Sequence, residues 1–156
     1  MDSYLLSHLT ARAAQINADA IALSSGTSAL SYGALMQQIE RCAAGLLHLG
    51  LGRSERVAVF LDKRSEMVVA CFGAAQAGAV FVPVNPILKP AQVAYILRDC
   101  RARTLIVHES LLPMVEEIRD GQPFLERVIV IGRPVREGDL SFRDWIGGEM
   151  TDLDPA

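Results

Sequence analysis

The feature that most constrains this chain is a series of four short apolar runs with helical segments between them. The runs are Val57–Leu61, Val80–Val84, Thr104–Val107 and Val128–Ile131. A continuous apolar run of this length is typical of a strand covered on both faces, as in a parallel sheet. Strands that alternate with helices form right-handed crossovers. The sequence therefore predicts an α/β fold, a mainly parallel doubly wound sheet with helices on both faces.

The longest helical segment has well-marked ends and one apolar face. Ser31 is the predicted N-cap, because its hydroxyl can accept a hydrogen bond from the first turn. Gly50 is the predicted left-handed cap at the other end. The apolar positions between them recur at steps of four and three, which places them on one stripe: Leu35, Ile39, Cys42, Leu46 and Leu49. Ser65 is the predicted cap of a third helix, which should end near Gly78, and Pro90 is the predicted first residue of the next helix.

Further elements are predicted at the two ends of the chain. Ser3 should cap a first helix, and residues 25–28 should form the turn of a short hairpin. From Arg133 onward the sequence is polar and contains a glycine pair, with a short helix predicted around Phe142 to Ile146. We therefore predict an α/β subdomain over residues 1–132 and a connecting segment over 133–156. The predicted buried face of the first helix comprises Leu5, Leu6, Leu9, Ala13 and Ile16.

Charge and patterning argue against several classes of protein. The formal net charge is −3, without the basic excess of a nucleic-acid module. No apolar run reaches the ~18–20 residues that cross a bilayer, and the N-terminus has no signal-peptide core, which predicts a cytoplasmic protein. Three widely spaced cysteines, Cys42, Cys71 and Cys100, are predicted to be reduced thiols.

No catalytic or metal site is predicted from the residues. The three histidines are far apart in sequence, and none forms an i, i+4 pair. A Gly-x-Ser-x-Gly nucleophile motif is missing. Asp62 and Asn85 follow two apolar runs, which keeps a receiver-like module open, although such a module needs more acids to hold Mg²⁺. The alternative of a free-standing receiver-like or binding α/β module without catalysis therefore stands.

Two stretches carry a more specific signal. Residues 30–35 read Leu-Ser-Tyr-Gly-Ala-Leu, which resembles the first core motif of the adenylate-forming superfamily, with Ala34 in place of the usual Glu. Residues 76–86 read Gln-Ala-Gly-Ala-Val-Phe-Val-Pro-Val-Asn-Pro, which is similar to its second core motif. The resemblance covers roughly residues 3–132. Residues 62–90 are similar to the acyl-CoA ligases found beside bacterial exosortase systems.

The resemblance implies an N-terminal part of an AMP-forming acyl-CoA synthetase. Such an enzyme uses ATP with Mg²⁺ to convert a carboxylic acid, here a fatty acid, into acyl-AMP, and then transfers the acyl group to CoA. The family's phosphate loop, its Mg²⁺-binding Glu and its catalytic Lys match no position in this sequence, so the chain alone is predicted to be inactive. Its partners would be the remaining subdomains of the parent chain.

One weak binding site follows from the same resemblance. In some relatives, the segment after the second core motif approaches the phosphate end of CoA. Lys89 and Arg98 lie there and could contact a CoA phosphate, although both could equally be solvated basic residues. Ile87 stands where an Arg is common. Because apolar residues make up 51% of the sequence, we also expect the chain to self-associate through surface that another subdomain covers in the parent.

Overall fold

The computed structural model describes residues 5–146, which form six α-helices and seven β-strands. The helices are α1 (Leu6–Ile16), α2 (Tyr32–His48), α3 (Ser65–Gln76), α4 (Pro90–Asp99), α5 (Leu112–Ile118) and α6 (Phe142–Trp145). The strands are β1 (Ile21–Ser25), β2 (Ser28–Ser31), β3 (Arg56–Phe60), β4 (Val80–Pro83), β5 (Thr104–His108), β6 (Arg127–Ile131) and β7 (Leu140–Ser141). No helix in this range is long and apolar enough to cross a membrane.

The main sheet has the order β4-β3-β5-β6-β7, and all its pairings are parallel. Its first four strands are the four predicted apolar runs, each shifted by no more than one residue at an end. The hairpin β1-β2 forms a separate antiparallel pair, as predicted. The predicted fold class is confirmed.

Each face of the sheet packs on its own set of helices. Alternate residues of a strand point to opposite faces, and Val57 and Val59 pack with α2 and α3 whereas Ala58 and Phe60 pack with α4 and α5. The α2 stripe is buried as predicted, with Leu46 in the centre of the first core. The helices therefore cover the sheet on both sides.

Strand β4 differs from its prediction as a buried strand. It lies at the edge of the sheet and pairs only with β3, and Val80 is 48% exposed. An apolar run predicts a strand that is covered on both faces. It does not specify which part of the protein covers the strand. Pro83 fits this position, since a residue without a backbone donor is tolerated on an edge strand.

The predicted buried face of α1 is wrong. Leu9 and Ile16 are 63% and 79% exposed, whereas the small residues Ser7 and Thr10 face inward. The spacing identified a real apolar stripe, but small side chains allow a closer approach to the rest of the subdomain. Ser3, the predicted cap, lies outside the described residues.

Most of the helix ends lie where the sequence predicts them. The Ser31 hydroxyl accepts from the Ala34 N–H at 3.2 Å, and Gly50 and Gly78 have φ of +82° and +81°. Pro90 is the first residue of α4. Ser65 is not a cap: it is the first residue of α3, and Arg64 precedes it without a side-chain cap hydrogen bond.

The segment after residue 132 contributes to the sheet. The predicted short helix is present as α6, but the two-residue strand β7 was not predicted, because two residues are too few to show a pattern. Phe142 and Ile146 are buried in the first core. Trp145 packs so closely on α2 that a Cβ at Gly45 would lie 2.8 Å from its ring.

Candidate functional site

The strand order has a switch point between β3 and β5, where a crevice is expected at the carboxyl ends of the two strands. After β3 the chain crosses one face through α3, and after β5 it crosses the opposite face through α5. The two loops therefore leave the sheet in opposite directions. Ligands of open parallel sheets bind at such a switch point, beyond the carboxyl ends of the strands.

An ion pair occupies the loop after β3. The Arg64 guanidinium donates to both oxygens of Asp62, with distances of 2.5 and 3.1 Å. This hydrogen bonding holds the pKa of Asp62 below its usual value, and the neighbouring charge of His108 lowers it slightly further. Asp62 is therefore an engaged carboxylate at neutral pH and is poorly suited to act as a general base.

The residues after β5 fix the other side of the crevice. The His108 Nδ1 atom accepts from the Ser110 N–H at 3.2 Å and lies 2.7 Å from the Ser110 hydroxyl. Glu109 accepts from the Arg133 N–H at 2.7 Å, and its carboxylate lies so close to Gly132 that a Cβ there would be 2.5 Å away. These contacts join the loops after β5 and β6 into one rim.

A groove of about 270 Å³ opens between the hairpin and the start of α3. Ser24 and Ser25 line one side, and Lys63, Arg64 and Met67 line the other. The groove combines hydroxyl, cationic and apolar groups, which suits a ligand with one anionic and one apolar end.

The two predicted CoA-contacting residues lie at opposite ends of α4. Lys89 precedes the first helical residue, and its backbone N–H donates to Gln92 at 2.9 Å; Arg98 lies in the last turn. Their positions differ by nine residues, which corresponds to a distance of roughly 13 Å along the helix axis. Both side chains are exposed, but the structure does not bring them together on a single phosphate group.

The polar residues at the crevice mainly contact one another. Within residues 5–146 there is no group of three or more His, Cys, Asp or Glu side chains that could hold a metal ion. The polar side chains bind each other and shape the rim. They could hold part of a ligand.

Comparison with known proteins supplies the family. The AMP-binding enzyme family matches residues 10–148 of the chain. This chain belongs to the AMP-binding enzyme family. The 3-hydroxybenzoate–CoA ligase of Aromatoleum sp. (strain CIB) is 33% identical over 140 residues, which is 90% of this chain and 27% of that protein. The long-chain-fatty-acid–CoA ligase of Thermus thermophilus is 32% identical over 119 residues, 76% of this chain and 22% of that protein.

Solved structures of the AMP-binding family agree with the sheet described above. An anthranilate CoA ligase in complex with anthranoyl-AMP matches 92% of this chain with a TM-score of 0.85 and 36% identity, and the match covers 27% of that chain. A benzoate CoA ligase from Burkholderia xenovorans matches 92% of this chain with a TM-score of 0.80 and 26% identity. The chain thus spans about a quarter of the length of these relatives and matches the N-terminal subdomain of acyl-CoA ligases.

Several residues of the crevice were not singled out from the sequence. Arg64, His108 and Glu109 were not predicted to lie together, because they are widely separated in sequence and belong to no motif. The sequence did place them directly after two predicted strands. Because parallel strands end at the same edge of a sheet, this position could have predicted that they lie near each other. Asp62 was noted in the sequence only as an acid that follows an apolar run, and its side chain is exposed at the end of β3.

Proposed function

We propose that this chain is the N-terminal portion of an AMP-forming acyl-CoA ligase. The parent enzyme activates a carboxylic acid, most simply a fatty acid, with ATP and Mg²⁺ to give acyl-AMP and pyrophosphate. It then transfers the acyl group to CoA in the cytoplasm. The match to a CoA ligase across 90% of this chain carries the proposal. The long-chain relative supports a fatty acid, whereas the hydroxybenzoate relative supports an aromatic acid.

The proposed role of these residues is to scaffold the parent's active site. The sheet and its rim would hold the crevice beside the other subdomains, with residues 133–156 leading toward the phosphate loop. We propose that the parent belongs to the exosortase-associated acyl-CoA ligases, because residues 62–90 are similar to them. An exosortase gene beside the coding sequence is the expected genomic context, and its absence would contradict this assignment.

Sequencing the reading frame beyond Ala156 tests the proposal directly. We expect the following codons to encode a loop rich in Ser, Thr and Gly that ends in Lys-Gly. A stop codon there would instead favour the free-standing binding module. Purified chain should release no pyrophosphate above background from ATP and Mg²⁺ with either fatty acids or 3-hydroxybenzoate. Measurable release would overturn the proposed inactivity of the isolated portion.

Lys89 and Arg98 are proposed to contact the phosphates of CoA in the parent. Replacing either with Ala should raise the KM for CoA without changing the KM for ATP. Arg143→Ala removes the same charge as Arg98→Ala at an exposed position of α6 and serves as the control. If both Lys89 and Arg98 variants keep the wild-type KM for CoA, these residues are solvated surface charges.

A further inference from the structure

A second groove lies at the amino edge of the main sheet, opposite the crevice. Its volume is about 420 Å³, and its walls are the segments that lead into β3, β5 and β6. A strand of five residues is ~16 Å long, so the two edges are well separated. We name this feature the arginine groove after the charged residues that line it: Arg53, Glu55, Arg56, Arg101, Arg103 and Glu126.

The arginine groove has an excess of positive charge in an acidic protein. Four arginines and two glutamates line it, whereas the whole chain has a net charge of −3. Arg103 engages both glutamates, with distances of 2.8 Å to Glu55 Oε1 and 3.0 Å from its Nε to Glu126 Oε1. Within residues 5–146, none of the other three arginines of the groove has a carboxylate partner.

The backbone of the groove is held in an uncommon conformation. Ser54 and Arg101 have φ of 62° and 54°, and they are the two non-glycine residues with positive φ in the described part of the chain. The Ser54 N–H donates to the Gly78 carbonyl at 2.8 Å, which anchors one of these turns. Arg101 follows the C-cap of α4, and the N–H groups of Arg101 and Ala102 donate to the Arg98 and Leu97 carbonyls at 3.2 and 3.0 Å, which is a common way for a helix to end. Both turns contribute lining residues to the groove.

An aromatic ring restrains one of the unpaired arginines. The Arg101 guanidinium carbon lies 5.6 Å from the centre of the Phe124 ring, which also lines the groove. Cation–π contact limits the motion of the guanidinium and leaves its N–H groups available to a ligand. The groove therefore presents cationic donors that are partly ordered before a ligand arrives.

We propose that the arginine groove binds a ligand carrying two or more phosphate groups. Guanidinium groups bind phosphate oxygens through paired N–H donors, and three unpaired arginines suit more than one phosphate. The two glutamates are balanced by two arginines, because Arg103 pairs with both and Arg127 lies 3.8 Å from Glu55 and 3.7 Å from Glu126, so they do not repel such a ligand strongly. This inference is independent of the proposed ligase function, because it rests on the opposite edge of the sheet.

Isothermal titration calorimetry of the 156-residue chain with inorganic pyrophosphate tests the proposal. The double variant Arg56→Gln/Arg101→Gln should bind pyrophosphate at least about tenfold more weakly than the wild type. Arg133→Gln removes a charge at the opposite edge and should leave the Kd unchanged. Sulfate at equal ionic strength should bind more weakly than pyrophosphate, because it has a single anionic group.

Thermal unfolding supplies a second measurement, in which the Tm of each variant is compared with and without pyrophosphate. Pyrophosphate should raise the Tm of the wild type and of Arg133→Gln but not that of the double variant. Arg101→Lys keeps the charge but loses the paired donors, so its affinity should fall between those of the wild type and the double variant. No detectable binding, equal binding by the double variant, or binding of an acidic peptide in place of pyrophosphate would each overturn the proposal.

Discussion

At the scale of single residues, burial decides which positions matter for stability. Leu46 and Leu47 are neighbours on α2, yet Leu46 is fully buried in the first core and Leu47 is 54% exposed. The α2 stripe repeats at steps of four and three, so a shift of one position moves a side chain from core to solvent. This pair therefore provides a matched test of the predicted stripe.

Leu46→Ala should lower the free energy of unfolding by about 2–5 kcal/mol, because a buried Leu loses most of its side chain and leaves a cavity. Leu47→Ala should change it by less than about 0.5 kcal/mol, as expected at an exposed site. Urea unfolding followed by circular dichroism measures both. Similar losses in the two variants would contradict the burial pattern.

The buried thiols predict a dependence of stability on alkaline pH. Burial raises the pKa of Cys42 to about 12 and that of Cys71 to about 11. A pKa raised above the model-peptide value of 9.0 means that the folded state favours the neutral thiol. The resulting stability is present below about pH 9 and is lost as pH rises toward the folded pKa values.

Cys42→Ala should therefore reduce the loss of unfolding free energy between about pH 8 and about pH 11, compared with the wild type. Denaturant titrations at both pH values provide the measurement. The comparison between the two proteins removes the contribution of other titrating groups. An unchanged alkaline slope would show that Cys42 does not contribute to it.

At the scale of elements, an ion-pair network fastens residues 133–139 to α5 and the turn that follows it. Arg119 donates to both oxygens of Asp139, with distances of 2.9 and 2.5 Å, and the Asp139 side chain is 1% exposed. Arg136 contacts Glu116 at 2.6 Å and Asp120 at 2.8 Å. These contacts position the segment that leads into β7 and α6.

Asp139→Ala should destabilise the subdomain by about 1–3 kcal/mol, because it removes a buried acceptor and leaves Glu116, at 3.0 Å, as the remaining partner of Arg119. Asp120→Ala removes an exposed partner from the same network and should cost no more than about 1 kcal/mol. Thermal unfolding of both variants measures the difference. Equal, small effects would show that the existing contact of Arg119 with Glu116 is sufficient to satisfy its guanidinium.

At the scale of the whole molecule, two elements expose apolar surface. The outer face of α1 and the free edge beside β4 both expose apolar side chains, including Leu9, Ile16 and Val80. In a protein that spans about a quarter of its relatives' length, such surface is expected where other subdomains pack.

The isolated chain should accordingly form dimers or larger assemblies as its concentration rises. Sedimentation across a concentration series measures this, and the assemblies should be only weakly sensitive to salt, since apolar contact causes them. The variant Leu9→Glu/Ile16→Glu should sediment as a monomer over the same range. A wild-type monomer at high concentration would mean that this surface is not sufficient for association.

The sequence by itself determined the α/β class, four of the five strands of the main sheet, and several helix ends. These features arise from local rules, since apolar runs, caps and left-handed glycines depend on neighbours a few residues away. The two core motifs indicated the adenylate-forming superfamily for the same reason, as contiguous residues.

The tertiary structure decided which face of α1 is buried, that β4 lies at an edge, and that β7 extends the sheet. It also brought Asp62 and Arg64 near His108, and four distant arginines into one groove. Each of these depends on pairings between residues far apart in sequence, where the energy of packing is decided by shape and by available partners. A periodic pattern reports that a surface is apolar, whereas only the assembled fold determines what covers it.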